Sequence, residues 1–296
     1  MSTEIYTVTH KLYEFPKDQI YKPIIAGAFE YEKDTFPTNY LRDDIGDNIS
    51  QKHDLYSEFT VTYWMWKNSA ADIIGLNHYR RYFIRGGWVN YFRCLTNPKK
   101  QLDKLVLNLN DILNIFQKKQ YDCVMPKKQW RVNRTLREEF IDANSPELLN
   151  LAENIIKEKF PDYHSTFIDV MNSKENYQKC ICIMKKSHFD RYADWIFSIF
   201  NELERNGVEG SNREYAFLGE RLINVWVEYQ KQRGNLKVDE HFFVNVEFSF
   251  SGILKNHTEL FIPKLFIPFI KIINKMGMEA VIGHGHFKIQ KRKGQG

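Results

Sequence analysis

The sequence predicts a layered α/β domain with helices flanking a sheet, and three observations carry that expectation. Short apolar runs alternate with segments of helical spacing along most of the chain. Polar groups, aromatics and paired arginines gather where a helical segment meets an apolar strand, which is where layered α/β proteins hold ligands. No repeat or low-complexity linker interrupts the chain before about residue 250.

Glu4 to Thr9 and Lys22 to Phe29 read as β segments, so a sheet begins at the amino terminus. Asp34 to Gln51 is rich in Pro, Asn, Asp and Gly without apolar periodicity and reads as a loop beside the sheet. Tyr56 to Asn68 has the first strong helical spacing, and Asp72 to Leu76 is a short apolar strand. Leu105, Leu109, Ile112, Leu113 and Phe116 fit one helix over Asp103 to Lys118, ahead of a strand from Tyr121 to Pro126. Helices follow at Pro146 to Phe160 and Tyr163 to Asn172, then a strand at Cys180 to Met184 and helices at Ser187 to Glu204 and Glu214 to Gln230.

With 296 residues, 43% of them hydrophobic, the chain can bury a full core as one large domain, alone or with an appendage. Lys+Arg total 42 against Asp+Glu 37, a formal charge of +5 that is too mild to predict a nucleic-acid partner. Cys94, Cys123, Cys180 and Cys182 have neither zinc-site spacing nor the density of a disulfide scaffold, so reduced thiols in the cytoplasm are expected. The polar start Met1-Ser2-Thr3-Glu4 carries no signal-peptide pattern.

The densest chemistry lies between Asp47 and Phe83. A strand ending in His78-Tyr79-Arg80-Arg81 delivers those groups into the crevice above a sheet, and guanidiniums suit an anionic ligand. Adjacent strand residues point to opposite faces, so at most one of Arg80 and Arg81 is expected on a phosphate. Read alone, His78 could be an ordinary hydrogen-bonded histidine at a strand end, and each arginine could pair with a surface carboxylate. Trp64 and Trp66 read as core aromatics of their helix.

Val8-Thr9-His10-Lys11, Gly46-Asp47-Asn48-Ile49-Ser50, Tyr63-Trp64-Met65-Trp66-Lys67-Asn68, Gly75-Leu76-Asn77-His78-Tyr79-Arg80-Arg81-Tyr82-Phe83 and Gly219-Glu220-Arg221-Leu222-Ile223-Asn224-Val225-Trp226 form a set of motifs. Together they resemble a bacterial polysaccharide-biosynthesis family long catalogued as a domain of unknown function. That family is similar to GT-A-fold glycosyltransferases of capsular polysaccharide and O-antigen, galactofuranosyltransferases among them. The resemblance covers roughly Glu4 to Tyr229. It implies a GT-A-like, Rossmann-like mixed sheet, and a hexosyltransferase using a uridine diphosphate (UDP) sugar, such as a galactose or galactofuranose donor, with no bound organic cofactor. The acceptor it implies is a polyprenyl-linked or growing oligosaccharide. Under this resemblance Thr9 and His10 lie near the nucleotide, and Asp47 and Asn48 contact the base, ribose or sugar. His78, Arg80 and Arg81 then stand where GT-A enzymes place an acidic metal-binding motif.

No Asp-x-Asp occurs in the chain, so a divalent ion bridging the diphosphate lacks its usual oxygen ligands. Two arginines can neutralise a leaving diphosphate instead, while manganese or magnesium held by His78 with another residue stays open. Inverting transfer needs a carboxylate to take the proton of the attacking hydroxyl. The resemblance puts Glu220 in that role, as the residue opening a late helix. Asp43, Asp44 and Asp47 compete for it, and Glu220 could instead simply favour a helix amino terminus. Phe140-Ile141-Asp142-Ala143-Asn144 and Tyr177-Gln178-Lys179-Cys180-Ile181-Cys182 depart from the family's usual pattern, which points to a different acceptor side. The competing functional class is a noncatalytic nucleotide-sugar or glycan-binding protein of a polysaccharide assembly complex, which would keep the arginines and need no base.

One catalytic domain over residues 1–250 is expected, followed by a basic amphipathic segment over 251–296. Leu260 to Lys275 is too short and too charged for a membrane span of about 20 residues. Lys264, Lys271 and Lys275 share one helical face opposite Phe and Ile, and Lys288, Lys291, Arg292 and Lys293 add a basic tail. The expectation is a helical appendage docked on the anionic cytoplasmic face of the cell membrane. Packing on the catalytic domain, or on a second copy in a homo-oligomer, is the other reading. Deleting Leu260 to Gly296 is expected to abolish flotation with anionic liposomes, and unchanged flotation contradicts membrane docking.

Overall fold

Apolar and β-branched residues near the amino terminus build the centre of a sheet. In the computed structural model, which describes residues 1–96, 98–130, 134–207, 213–246, 278–283 and 286–291, β1 (Thr3–Thr9) and β2 (Tyr21–Ile25) pair in parallel. The loop expected over Asp34 to Gln51 contains a two-residue strand, β3 (Leu41–Arg42), parallel to β2. β4 (Ile73–His78) lies on the other side of β1, also parallel, and turns back at once into β5 (Arg81–Phe83).

β6 (Cys123–Pro126), β7 (Gln129–Trp130), β8 (Glu175–Asn176), β9 (Cys182–Lys185), β10 (Val238–His241) and β11 (Phe243–Asn245) follow. The main sheet has the order β10-β6-β9-β4-β1-β2-β3, with β5 joined to β4 and β11 to β5, while β7 and β8 pair separately. Along that order only β9 runs against its neighbours, so the carboxyl ends of the other strands share one edge. The chain lays β2 and β3 on one side of β1 and then crosses to lay β4 on the other. The crevice above the ends of β1 and β4 is therefore the topological switch point, where open α/β sheets bind ligands.

Two expected helices are divided, each by a local rule that outweighs periodicity. Ser57 adopts φ 46° and separates α1 (His53–Tyr56) from α2 (Phe59–Asn68). After α3 (Trp88–Thr96) and α4 (Pro98–Leu105), Asn108 and Asp111 form a capping box that starts α5 (Leu109–Leu113) afresh. The helix expected over Asp103 to Lys118 is interrupted there. α6 (Leu136–Ile141), α7 (Pro146–Lys159), α8 (Pro161–Asn172), α9 (Lys186–Arg205) and α10 (Glu214–Gln232) complete the α-helices of the described residues.

Strand side chains alternate between two cores. Tyr6, Val8, Ile74 and Leu76 pack with Phe59 of α2, Phe197 of α9 and Leu222 of α10. Ile5, Ile73, Val124 and Ile183 face the other side, against Ile112, Phe116 and Tyr82.

Two contacts fix the helices over the carboxyl edge. Asp43, 0% exposed, accepts hydrogen bonds from the Gly27 and Ala28 amides at 2.9 Å each, and from Ser50 Oγ and Thr60 Oγ1 at 2.6 Å each. One carboxylate thus ties the exit of β2 and the end of β3 to α2. Gly27 has φ 63°, and a Cβ there would lie 2.5 Å from the His53 ring, so this turn needs glycine. At the second contact, a Cβ on Gly219 of α10 would lie 2.2 Å from Cζ of Phe59, so α10 closes on α2 only because that side chain is absent.

β12 (Met278–Gly283) and β13 (His286–Lys291) form an antiparallel pair, so these parts of the segment beyond residue 250 are extended rather than helical. The docking helix expected over Leu260 to Lys275 lies outside the described residues. No described helix is long and apolar enough to cross a membrane.

Asp43→Ala leaves four donors without their acceptor and is expected to cost about 3 kcal/mol or more. Gly219→Ala is expected to cost about 1–3 kcal/mol through overpacking against Phe59. Denaturant-unfolding midpoints of both variants measure these losses.

Candidate active site

The end of β1 and the β4–β5 turn stand side by side at the switch point and carry the chain's expected anion ligands. Thr9 is buried and donates its hydroxyl to the Lys11 carbonyl at 2.6 Å, so it shapes the turn instead of facing the crevice. His10 meets the buried Tyr79 ring edge-on with centroids 5.2 Å apart. Lys11 Nζ lies 4.7 Å, and the Arg80 guanidinium carbon 5.2 Å, from the same Tyr79 centroid. Burial, followed by the charges of Lys11, Arg80, Arg213 and His53, holds the His10 imidazole below its ordinary value.

That shift shows how many elements converge here. Arg213, in the left-handed conformation at φ 68°, immediately precedes α10, and His53 opens α1. Among the described residues no hydrogen bond or ion pair reaches the Arg213 guanidinium. His53 and Arg213 escaped the sequence reading because they lie in no pattern of their own, and Lys11 stood in the Val8-Thr9-His10-Lys11 motif with no role given; the three meet only in the folded chain.

A second group occupies the α2 and α10 side of the sheet. His78 and Arg81 face each other across the hairpin, as paired residues of antiparallel strands do. Burial, then the guanidiniums of Arg81 and Arg80, pushes the His78 imidazole down to about 2, so it is neutral. Burial also lowers the proton affinity of Arg81, which Glu220 and, less strongly, Glu58 partly restore. One oxygen each from Glu58 and Glu220 and the Cys180 sulfur lie within 4.8 Å of one another. Glu58 and Cys180 are further site residues that the sequence reading missed; Glu58 stands directly before the Phe59 that packs on Gly219.

Glu220 lies two turns inside α10, which begins at Glu214, and so does not open its helix as expected. The buried positions Tyr215, Ala216 and Leu218 carry the helix upstream of it, beyond the first turn where a carboxylate feels the helix dipole most. Arg221 Nη1 donates to Glu220 Oε2 at 3.3 Å and its Nη2 approaches Glu139 Oε1 at 3.7 Å. The rival carboxylates are engaged elsewhere: Asp43 in its four hydrogen bonds, Asp44 with Arg42 at 2.8 Å, and Asp47 with the Tyr63 hydroxyl at 3.1 Å.

Asp47 and Asn48 are not drawn into either group. Asn68 Nδ2 donates to the Asp47 carbonyl at 2.8 Å, and Asn48 Nδ2 donates to the Gly46 carbonyl at 2.8 Å, so both residues fasten their loop. Trp64 donates to the Ile45 carbonyl at 2.7 Å and Trp66 stacks on Phe197, which keeps both within helix packing.

The residues at the β4–β5 turn do not fit a divalent ion that bridges a diphosphate. His78 offers one neutral nitrogen and Glu58 reaches the same small cavity, but the charges of Arg80, Arg81, Lys11 and His10 beside it oppose a divalent ion. Beside this cluster a cleft of ≈ 700 Å³ opens, lined by Lys11, Leu12, Tyr13, Glu14, Leu102 and Val246, a volume in the range of ligand pockets.

Residues 4–232 match the family described as a domain of unknown function, DUF4422. Among solved structures, the apo structure of a bifunctional glycosyltransferase named WbbM is similar, with a TM-score of 0.70 and 26% identity over 84% of this chain and 46% of that one. The chain thus spans less than half the length of that enzyme. The likeness bears out the GT-A-like mixed sheet flanked by helices. No curated protein matches the chain.

The neutral His78 has a consequence for stability. Its folded value of about 2 lies below the unfolded value of about 6.5, so the stability it contributes is present above pH 6.5 and is lost as the pH falls toward 2. His78→Gln is expected to flatten the stability profile between pH 6.5 and 5 by up to about 1.4 kcal/mol per pH unit. Denaturation of both proteins across that range measures it, and parallel profiles contradict a buried neutral imidazole.

Proposed function

The chain belongs to the DUF4422 family, and from that premise we propose that it is a glycosyltransferase that moves a hexose from a UDP-sugar to a hydroxyl of a lipid-linked or growing glycan, with inversion. The observation that carries this reading is the convergence of Lys11, His53, Arg80 and Arg213 around His10 at the β1–β4 switch point, next to Glu58 and Glu220. The name of the similar solved structure supports the same reaction class. Galactose or galactofuranose as the sugar, and capsular polysaccharide or O-antigen as the product, follow from the resemblance of the sequence motifs. A catalytic domain held at the cytoplasmic membrane surface by its basic carboxyl-terminal segment suits a polyprenyl-linked acceptor.

In this reading the diphosphate binds against Arg80, Arg213, Lys11 and His10, where charge-assisted hydrogen bonds are strongest. The acceptor oxygen attacks the anomeric carbon. The bond from that carbon to the phosphate oxygen breaks, and its electron pair leaves with the diphosphate, whose growing charge is met by cations already in place. Glu220 takes the proton of the acceptor hydroxyl. Arg221 fixes that carboxylate from one side.

A thermal-shift panel of nucleotide diphosphate sugars, with and without manganese or magnesium and with a chelator, tests the reading. Stabilisation by a UDP-sugar is expected in all three conditions, with affinity falling at least about tenfold in Arg80→Ala. Glu220→Gln is expected to keep that binding and lose about 10²–10⁴-fold in turnover. No stabilisation by any nucleotide sugar contradicts a transferase, and binding without turnover in the unaltered protein favours a noncatalytic role.

A further inference from the structure

Glu58 and Arg81 face one small cavity, walled also by Val8, Leu76, His78 and Cys180, with room for about one water-sized group. Both side chains are half-buried, and Glu58 acts on the Arg81 charge. Among the described residues, however, neither side chain makes a hydrogen bond or an ion pair. The gap is built into the packing: Gly219 against Phe59 sets the spacing of α10 and α2, and the residues beside that contact are Glu220 and Glu58.

Two opposite charges held half-buried and unbonded favour a ligand that donates to one and accepts from the other. The surroundings select its charge. An anion would meet the carboxylates of Glu58 and Glu220. A divalent cation would meet Arg81, with Arg80, His10 and Lys11 close enough to act on His78. A hydroxyl group suits both sides, since it donates to Glu58 and accepts from Arg81.

We propose that Glu58 and Arg81 form a subsite for one hydroxyl group of a neutral sugar, set beside the cationic cluster that holds the diphosphate. This deepens the glycosyltransferase reading and rests on it for the source of the sugar. Arg81 then serves the sugar, and Arg80 serves the phosphates.

The test titrates UDP, UDP-galactose, UDP-glucose and the corresponding methyl glycosides into the full chain, Glu58→Ala and Glu58→Gln, by calorimetry and by ligand-detected NMR. Glu58→Ala is expected to weaken a sugar-bearing ligand about tenfold, the worth of one hydrogen bond to a charged group, while UDP binds within about twofold of the unaltered protein. Glu58→Gln keeps the side-chain shape and leaves a neutral acceptor, so it reads a smaller loss of the same sign should the alanine variant fail to fold. Loss for the UDP-sugar assigns the hydroxyl to the donor, and loss for the methyl glycoside alone assigns it to the acceptor. Equal losses for UDP and UDP-sugar, or no loss for any sugar, overturn the proposal. Stoichiometric zinc or manganese binding that disappears with Glu58 also overturns it. Failure of the glycosyltransferase reading has a different signature: UDP does not bind the unaltered protein, while methyl glycosides still distinguish it from the Glu58 variants.

Discussion

One buried carboxylate, Asp43, holds the functional edge of this protein together. Its two oxygens accept from the backbone where β2 leaves the sheet and from hydroxyls on the loop and helix that follow β3. A carboxylate removed from water is tolerable only with such complete satisfaction, and the low local dielectric makes each of those bonds strong. The result is directional. It seats α2 over the sheet with Glu58 at its start, and it holds the Gly27 turn against which His53 packs.

That rigidity matters because the site above the sheet opposes itself electrostatically. His10 and His78 are both depressed by neighbouring cations as well as by burial, so the folded chain keeps like charges close at the switch point. The core beneath supplies the stability that this arrangement lacks, and an anion arriving in the crevice relieves the repulsion. On the α2 and α10 side the sign changes, with Glu58 and Glu220 near Arg81. Group transfer that expels a diphosphate while a hydroxyl gives up its proton needs this separation, with positive charge under the leaving group and a carboxylate near the attacking oxygen.

The sequence reading was strongest where chemistry is local. The apolar run of β4 ending in His78-Tyr79-Arg80-Arg81 is a contiguous pattern, and the structure places it at a strand end beside β1. Glu220 was reached through family motifs, but the helix-opening place given to it conflicts with the helical spacing that begins at Glu214, and the structure starts α10 at Glu214. Asp47 and Asn48 carry polar groups suited to a ligand, yet the Asp47 carboxylate accepts from the Tyr63 hydroxyl and the Asn48 amide donates within its own loop. Arg213, His53 and Glu58 had no signature, and Lys11 and Cys180 stood in motifs without a role, since what joins them is the meeting of segments far apart in the chain. The short β3, β10 and β11 likewise become strands only because a neighbouring edge is there to pair with them.

The division of the site into a phosphate side and a carboxylate side is tested most directly by a crystal structure of the complex with UDP. Both phosphates are expected at the ends of β1 and β4, within hydrogen-bond distance of Arg80 and Arg213, with the terminal phosphate nearest Glu58 and Glu220. A nucleotide seated away from β1 and β4, or phosphates bridged by a metal ion to Glu58 and Glu220, would contradict it.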